Sequence, residues 1–118
     1  MSATQAVGAY GERVAASHLV DAGLRVIDRN WRDRVGELDI VARDGDTLVF
    51  CEVKTRRGNQ HGLPAEAVSA TKAARIRRLA RLWLAAHEES ARYIRFDVIS
   101  VWPQHRGPAH IEHLRDAF

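Results

Sequence analysis

Hydrophobic and polar positions change their period several times along the chain, and each change predicts the boundary of an element. Near the N-terminus, Val7, Val14 and Ala15 belong to one apolar stripe with the spacing of a helix. The stripe extends over residues 4–22, and Gly23 is the residue type that most often ends a helix. The pattern therefore predicts a long amphipathic helix as the first element.

Three strands are predicted next. The run at 24–32 alternates weakly, and residues 33–37 supply a turn. Beyond them, the runs ELDIVAR and DTLVFCEVKT flank Asp44 and Gly45, a dipeptide that is typical of a type I′ hairpin turn. The second of these runs is apolar at both odd and even positions, which is typical of a strand buried on both faces.

The second half of the chain predicts one helix and up to two further strands. A loop at 56–70, with a short turn of helix near 65–68, comes first, and a long helix follows at 71–89. A strand is predicted at 92–102. The segment at 109–116 suits either a strand or a short helix. The resulting order is α-β-β-β-α-β-β. It predicts a single α/β domain over residues 1–118, with a central mixed sheet of four to five strands flanked by helices.

The composition fits a folded globular domain. Hydrophobic residues make up 46% of the 118 residues and charged residues 28%, which excludes the composition of disordered chains. Cys51 is the single cysteine, so an intramolecular disulfide and a thiolate metal cluster are both excluded. The sequence has neither a signal-peptide pattern nor an apolar stretch that could span a bilayer, so we expect a cytoplasmic protein without a membrane partner.

The net charge gives a first indication of the partner. It is +3, and arginine carries most of the positive charge because Lys54 and Lys72 are the two lysines. The planar guanidinium group is well suited to phosphate recognition. The charge therefore favours a nucleic acid over a neutral metabolite as the partner.

The predicted hairpin brings several charges to one face. If Asp44 and Gly45 form the turn, Asp39 pairs with Phe50 and Glu37 pairs with Glu52. Because cross-strand partners share a face, Glu37, Asp39, Glu52 and Lys54 then project from the same side of the sheet. Like charges opposite each other destabilise a sheet, and partly buried carboxylates need a compensating cation.

A divalent cation would supply that compensation. Magnesium is typically held by one or two carboxylates together with water and substrate phosphate. Asp39 and Glu52 can reach one ion, and the carbonyl oxygen of Val53 could add a ligand. Lys54 would then lie near the attacking water or the scissile phosphate, which is the arrangement for metal-assisted hydrolysis of a phosphodiester. The alternative is a solvated charge cluster in which Lys54 offsets one carboxylate.

The same residues resemble a known nuclease motif. Asp39 followed by Glu52-Val53-Lys54 is similar to the core of the PD-(D/E)XK, or restriction-endonuclease-like, superfamily, although Leu38 stands where that motif has proline. More narrowly, the segments GAYGERVAASHLVDAGL, NWRDRVGELDIVARDGDTLVFCEVKTRR and RFDVISV resemble the YraN-like family of small proteins. The resemblance implies a nuclease-like fold related to archaeal Holliday-junction resolvases. In those enzymes a glutamate of the first helix joins the site, and Glu12 occupies that position here.

Together these observations predict a nuclease that depends on Mg²⁺ or Mn²⁺ and acts on DNA, with branched or damaged DNA among the substrates left open. Asp39 and Glu52 would bind metal, Lys54 would act on the attacking water, and Glu12 would assist a second ion or water. A homodimer would suit cleavage of two strands. The competing hypotheses are a non-catalytic nucleic-acid-binding or adaptor protein that retains the fold, and a protein-interaction module in which the charges form a structural cluster.

Three basic residues are further candidates for contacts with nucleic acid. Lys72 falls in the first turn of the long helix, where a bound phosphate would offset the unfavourable interaction of a cation with the helix dipole. Arg56 and Arg57 follow Lys54 and could bind flanking phosphates. For all three the alternative is a solvated surface charge. Asp97, within the strand at 92–102, is expected to be a polar residue that faces outward.

Overall fold

The computed structural model describes residues 2–58 and 68–118. In these two ranges the elements are α1 (Ala3–Asp21), β1 (Arg25–Asp33), β2 (Gly36–Asp44), β3 (Thr47–Thr55), α2 (Ala70–His87), β4 (Tyr93–Trp102) and β5 (His110–Leu114). The predicted order of elements is confirmed, and the segment at 109–116 contains a strand. The predicted turn of helix near 65–68 falls mostly outside the described residues.

The five strands form one mixed sheet in the order β1-β2-β3-β4-β5. The β3 and β4 strands are parallel, and the other three neighbouring pairs are antiparallel. A parallel pair needs a crossover connection, and α2 lies in the connection between β3 and β4. This architecture, an α/β domain with two helices flanking a mixed sheet, is consistent with a restriction-endonuclease-like fold.

Serine residues begin both helices. Ser2 and Gln5 form a reciprocal capping box at the start of α1, and the Ser69 side chain accepts a hydrogen bond from the backbone N–H of Lys72 at the start of α2. At the other end, α1 stops before Gly23, which adopts a positive φ of 93° as the sequence predicted. These caps define the residue at which each helix begins.

The hairpin between β2 and β3 has a different register from the predicted one. Its turn is formed by Gly45 and Asp46, and the last cross-strand pair is Asp44 with Thr47. Gly45 adopts a positive φ of 57°, which glycine tolerates at the first turn position. The predicted partners of Glu37 and Asp39 are therefore wrong by two residues. Because side chains alternate with a period of two, this shift leaves every residue on its predicted face.

Two hydrophobic clusters lie on opposite faces of the sheet. One contains Leu19 of α1, and the other contains Trp83 of α2. The strands contribute alternate residues to the two clusters, with Val49 and Cys51 in the first and Leu48 and Phe50 in the second. This division confirms that β3 is buried on both faces. Burial also raises the pKa of the Cys51 thiol, so Cys51 acts as a small buried hydrophobic residue.

Asp97 is fully buried, and the prediction that it faces outward is wrong. Its carboxylate accepts hydrogen bonds from Arg95, from His113 and from the backbone N–H of Asp116. His113 in turn hydrogen-bonds His18 of α1 at 3.0 Å. The alternation of β4 places Arg95 on the same face as Asp97 but gave no indication of the other partners, because these come from β5, the C-terminal segment and α1.

The described part of the chain has no helix with both the length and the apolar character needed to cross a bilayer.

Candidate metal and nuclease site

Three acidic side chains meet where β2 separates from β3. Carboxylate oxygens of Glu12, Glu37 and Asp39 all lie within 4.8 Å of one another. Glu12 comes from α1, and the other two residues come from β2. None of the three is fully exposed, so their negative charges repel one another in a partly desolvated environment.

Asp39 is fixed in this position by a backbone contact to the neighbouring strand. The β2–β3 ladder ends at the pair Ile40 and Cys51, and Asp39 Oδ2 then accepts a hydrogen bond of 2.8 Å from the backbone N–H of Val53. The side chain therefore takes the place of a backbone acceptor just beyond the end of the ladder. A carboxylate held in this way has a defined orientation, which is a requirement for a metal ligand.

The pKa of Asp39 is raised from its ordinary value to about 7. Burial is the largest cause, and the negative charge of Glu52 is the next. Glu12 and Glu37 raise the pKa further, while the hydrogen bond from Val53 lowers it. A proton or a cation at Asp39 would offset these repulsions.

Glu12 reaches the acidic cluster because α1 lies very close to the end of β3. A methyl group at Gly11 would overlap Thr55 Oγ1 and would lie 3.0 Å from Thr55 Cβ. Asn30, which has a positive φ of 54°, hydrogen-bonds the Glu12 side chain. Burial raises the pKa of Glu12, and the Asn30 contact opposes that shift.

Gly11→Ala should therefore destabilise the protein, although alanine is the better helix former. Overpacking against Thr55 costs about 1 to 3 kcal/mol, whereas replacing a helical glycine with alanine returns about 1 kcal/mol. Gly8→Ala is the matched control in the same helix, because a methyl group there meets nothing within 4 Å, and it should be stabilising. Urea denaturation measures both changes. Equal stabilisation by the two variants, or failure of Thr55→Ala to rescue Gly11→Ala, would contradict the close contact.

A second cluster joins Glu52 to the two lysines. Glu52 Oε1 lies 2.6 Å from Lys72 Nζ and 3.7 Å from Lys54 Nζ. The Glu52 side chain is almost buried, whereas each lysine side chain is about a quarter exposed. The structure therefore brings Lys72, from the first turn of α2, to Glu52 and Lys54 of β3.

The two lysines have opposite pKa shifts. Burial and the neighbouring Lys72 lower the pKa of Lys54, against the opposing effect of Glu52. Burial is the largest effect on the pKa of Lys72 and lowers it, but the hydrogen bonds to Glu52 and Lys54 and the negative charges of Glu52 and Asp39 together outweigh it, so the net shift is upward. Lys72 is therefore the stable cation of the pair. Lys54 lies beside Glu52 with its pKa held below the ordinary value of a lysine, chiefly by burial.

Comparison with known sequences places the chain in a family. The model described as "Uncharacterised protein family UPF0102" matches residues 11–101. A UPF0102 protein from Frankia casuarinae is 55% identical over 118 residues, covering 100% of each chain. The chain belongs to the UPF0102 family. Further UPF0102 proteins are 56% identical over 115 residues in Beutenbergia cavernae, covering 98% of each chain, and 57% identical over 116 residues in Nocardia farcinica, covering 97% of this chain and 90% of the relative.

The acidic and lysine clusters lie entirely within the matched UPF0102 region, which begins at Gly11 and ends at Val101. The relatives are described by their family name, and that name says nothing about a reaction. Family membership therefore does not by itself assign a reaction to this UPF0102 site.

The residues predicted for this UPF0102 site form two clusters in the structure, whereas the sequence indicated one. Asp39 and Glu12 meet in the acidic cluster, while Glu52 is ion-paired with Lys54 and Lys72. Val53 contributes its backbone N–H to Asp39.

Arg56 and Arg57 diverge at the end of β3. The Arg56 guanidinium lies over the Trp102 ring at 5.9 Å, while Arg57 is exposed and lines a cleft that also contains Glu12.

Two residues near the site were not predicted as members of it. Glu37 was expected on the charged face but not as a ligand, and it also forms an ion pair of 3.2 Å with Arg32 of β1. Asn30 was not predicted to contact the site. A glutamate two residues before a candidate aspartate on a strand is the pattern that could have identified Glu37, because such residues share a face. The contact between Asn30 and Glu12 depends on a positive φ that the sequence pattern did not reveal.

Proposed function

We propose that this protein is a nuclease that uses Mg²⁺ or Mn²⁺ to hydrolyse phosphodiester bonds in DNA. The observation that carries the proposal is the position of Asp39, which lies between a group of carboxylates and a group that contains two lysines. On one side are the carboxylates of Glu12 and Glu37, and on the other is Glu52 with its lysines. Metal-assisted phosphoryl transfer needs this combination of hard oxygen donors and an adjacent cation.

The donor set fits a hard divalent cation. Carboxylate oxygens are the ligands that Mg²⁺ and Mn²⁺ prefer, and no cysteine or histidine belongs to the acidic cluster in the described part of the chain. Asp39, Glu12 and Glu52 would hold the ion, with Glu37 and the Val53 carbonyl as further donors. When bound, the ion would supply charge neutralisation and an activated water.

The lysines have separate roles in this proposal. Lys54 orients the attacking water, and its ammonium group stabilises the negative charge that develops in the transition state. Lys72 holds the Glu52 carboxylate through the 2.6 Å ion pair and presents positive charge toward the substrate phosphate. Arg57 is exposed and can bind a flanking phosphate.

A cleavage assay tests the proposal. The purified protein should cleave linear, flapped or four-way DNA in Mg²⁺ or Mn²⁺ and should be inactive in EDTA. Lys54→Ala should lower the rate by about 10²- to 10³-fold, as expected when one group that stabilises a transition state is removed. Glu89→Gln is the control, because Glu89 pairs with Arg43 near the hairpin turn. Full cleavage by Lys54→Ala, or cleavage in EDTA, would count against the proposal.

The Glu52 ion pairs also favour a second candidate, a non-catalytic nucleic-acid-binding protein in which the charges are structural. In that case Glu52→Leu should be neutral or stabilising, because a buried ion cluster often contributes little net stability. Added Mn²⁺ should then leave the melting temperature unchanged in both proteins. A nuclease site instead predicts that Mn²⁺ raises the melting temperature of the wild type and that Glu52→Leu diminishes the effect.

A further inference from the structure

A cleft of about 380 Å³ opens beside the acidic cluster, between the first half of α1 and the end of β3. It is lined by positions from Thr4 to Glu12 on the helix and by Val53, Thr55 and Arg57 on the other side. Its volume falls within the range of about 300 to 1,000 Å³ that is usual for small-molecule sites. The cleft shares Glu12 and Val53 with the metal and nuclease site, so a molecule bound in it would lie next to the reacting phosphate.

The lining of the cleft combines the groups that recognise a nucleoside and its phosphate. Val7, Gly8 and Val53 form an apolar wall against which the face of a base can pack. Thr4 and Thr55 contribute hydroxyl groups, which can donate or accept a hydrogen bond with a sugar or a base edge. Arg57 supplies a guanidinium group for a phosphate.

The close contact of α1 with β3 limits what can enter. Gly11, in the middle of α1, lies against Thr55, whereas a side chain at Gly8 would meet open space. The cleft is therefore closed where Gly11 lies and open where Gly8 lies. A volume of about 380 Å³ suits one base with its sugar and is too small for a base pair, which carries a sugar-phosphate backbone at each end.

We infer that this cleft binds one unpaired nucleotide adjacent to the phosphate that is cleaved, so that the enzyme acts on single-stranded segments such as flaps, gaps or ends. This inference rests on the proposed nuclease function for the position of the reacting phosphate. Binding of the nucleotide itself does not need the metal. Enzymes that act on nucleic acid commonly take an unpaired base into such a pocket.

The first test measures nucleotide binding without metal. Thymidine 5′-monophosphate, titrated into isotope-labelled protein in EDTA, should shift the amide NMR signals of Val7, Gly8 and Thr55. Gly8→Phe should abolish these shifts by filling the cleft. Val20→Phe, which places the same side chain at an exposed position of α1, should preserve them. Shifts that persist in Gly8→Phe, or their absence in the wild type, would overturn the inference.

If Gly8→Phe does not fold, Arg57→Ala provides a second test. Arg57 is exposed, so its replacement should leave the fold intact. It should weaken nucleotide binding about tenfold through the loss of a charge-assisted hydrogen bond. Unchanged affinity would contradict the assigned phosphate contact.

A second measurement separates the inference from the proposed function. In Mn²⁺, the wild type should cleave a duplex with a single-stranded flap faster than the same duplex fully paired, and Gly8→Phe should remove this preference. If the wild type cleaves neither substrate, the proposed nuclease function fails, and the NMR titration still decides whether the cleft binds a nucleotide. Equal rates on both substrates would overturn the inference and leave the nuclease function intact.

Discussion

Asp39→Asn should abolish metal-dependent cleavage and, at the same time, raise the melting temperature of the metal-free protein at pH 8. The folded protein holds the ionised Asp39 carboxylate among other acids, and its pKa is about 7. Asparagine removes the charge but keeps an oxygen that can accept the Val53 N–H. Removing a strained functional group of this kind typically stabilises by roughly 1 to 2 kcal/mol.

The pH dependence gives this prediction a specific signature. Because the folded pKa lies above the unfolded value, the carboxylate destabilises the protein increasingly as the pH rises from about 4 through about 7. At pH 5 Asp39 is mostly protonated in the folded protein, so wild type and Asp39→Asn should differ much less than at pH 8. Thermal melts in EDTA at the two pH values measure the difference. Asp46→Asn, in the exposed hairpin turn, is the control.

A metal should reverse the order of stability. Mn²⁺ competes with the proton on Asp39, so it should stabilise the wild type more at pH 8 than at pH 5. Asp39→Asn should show little stabilisation at either pH. A variant that is less stable than the wild type at pH 8 in EDTA, or one that Mn²⁺ stabilises as strongly as the wild type, would show that Asp39 has another role.

Asp97→Ala should cause a large loss of folding stability. The Asp97 carboxylate is fully buried and accepts hydrogen bonds from Arg95 at 2.9 and 3.0 Å and from His113 at 2.7 Å. Removing the carboxylate leaves the Arg95 guanidinium and the His113 ring without their buried acceptor and costs about 3 to 5 kcal/mol. Urea denaturation measures the loss, and Asp21→Ala at the exposed end of α1 is the control. A loss below about 1 kcal/mol would contradict the network.

The same network predicts the behaviour of the protein in acid. Burial raises the pKa of Asp97, but the hydrogen bonds from His113, Arg95 and the Asp116 N–H outweigh it and hold the pKa below its ordinary value. The contribution of Asp97 is therefore complete above pH 3.8 and is lost as the pH falls below that value. Wild type and Asp97→Ala should converge in stability at the acidic end of a pH series.

The elements of the fold were predictable because their signals are local. The stripe of α1, the dense apolar run of β3 and the glycine of the hairpin turn each lie within a few residues of the structure they specify. The turn itself was placed one residue too early, at Asp44 and Gly45 instead of Gly45 and Asp46. Both placements satisfy an alternating pattern, since the resulting shift of the register is an even number of residues.

From the residues alone, only the part of the site that comes from β2 and β3 could be predicted, because strand alternation gives the face on which each side chain lies. Alternation placed Asp39, Glu52 and Lys54 near one another, and the family resemblance added Glu12. Neither could show that Lys72 pairs with Glu52, because that contact depends on where α2 begins relative to the sheet. For the same reason the burial of Asp97 was missed, since its partners His113 and Asp116 come from the C-terminal segment.

The proposed function requires that Asp39 and its neighbouring acids bind a divalent metal. Anomalous diffraction from crystals soaked in Mn²⁺ at pH 8 tests it most directly. We expect a peak at coordination distance from carboxylate oxygens of Asp39 and Glu12, on the side that faces Glu52, and no such peak in crystals of Asp39→Asn. A wild-type map without a peak at Asp39, or with the same peak in both proteins, would contradict the account.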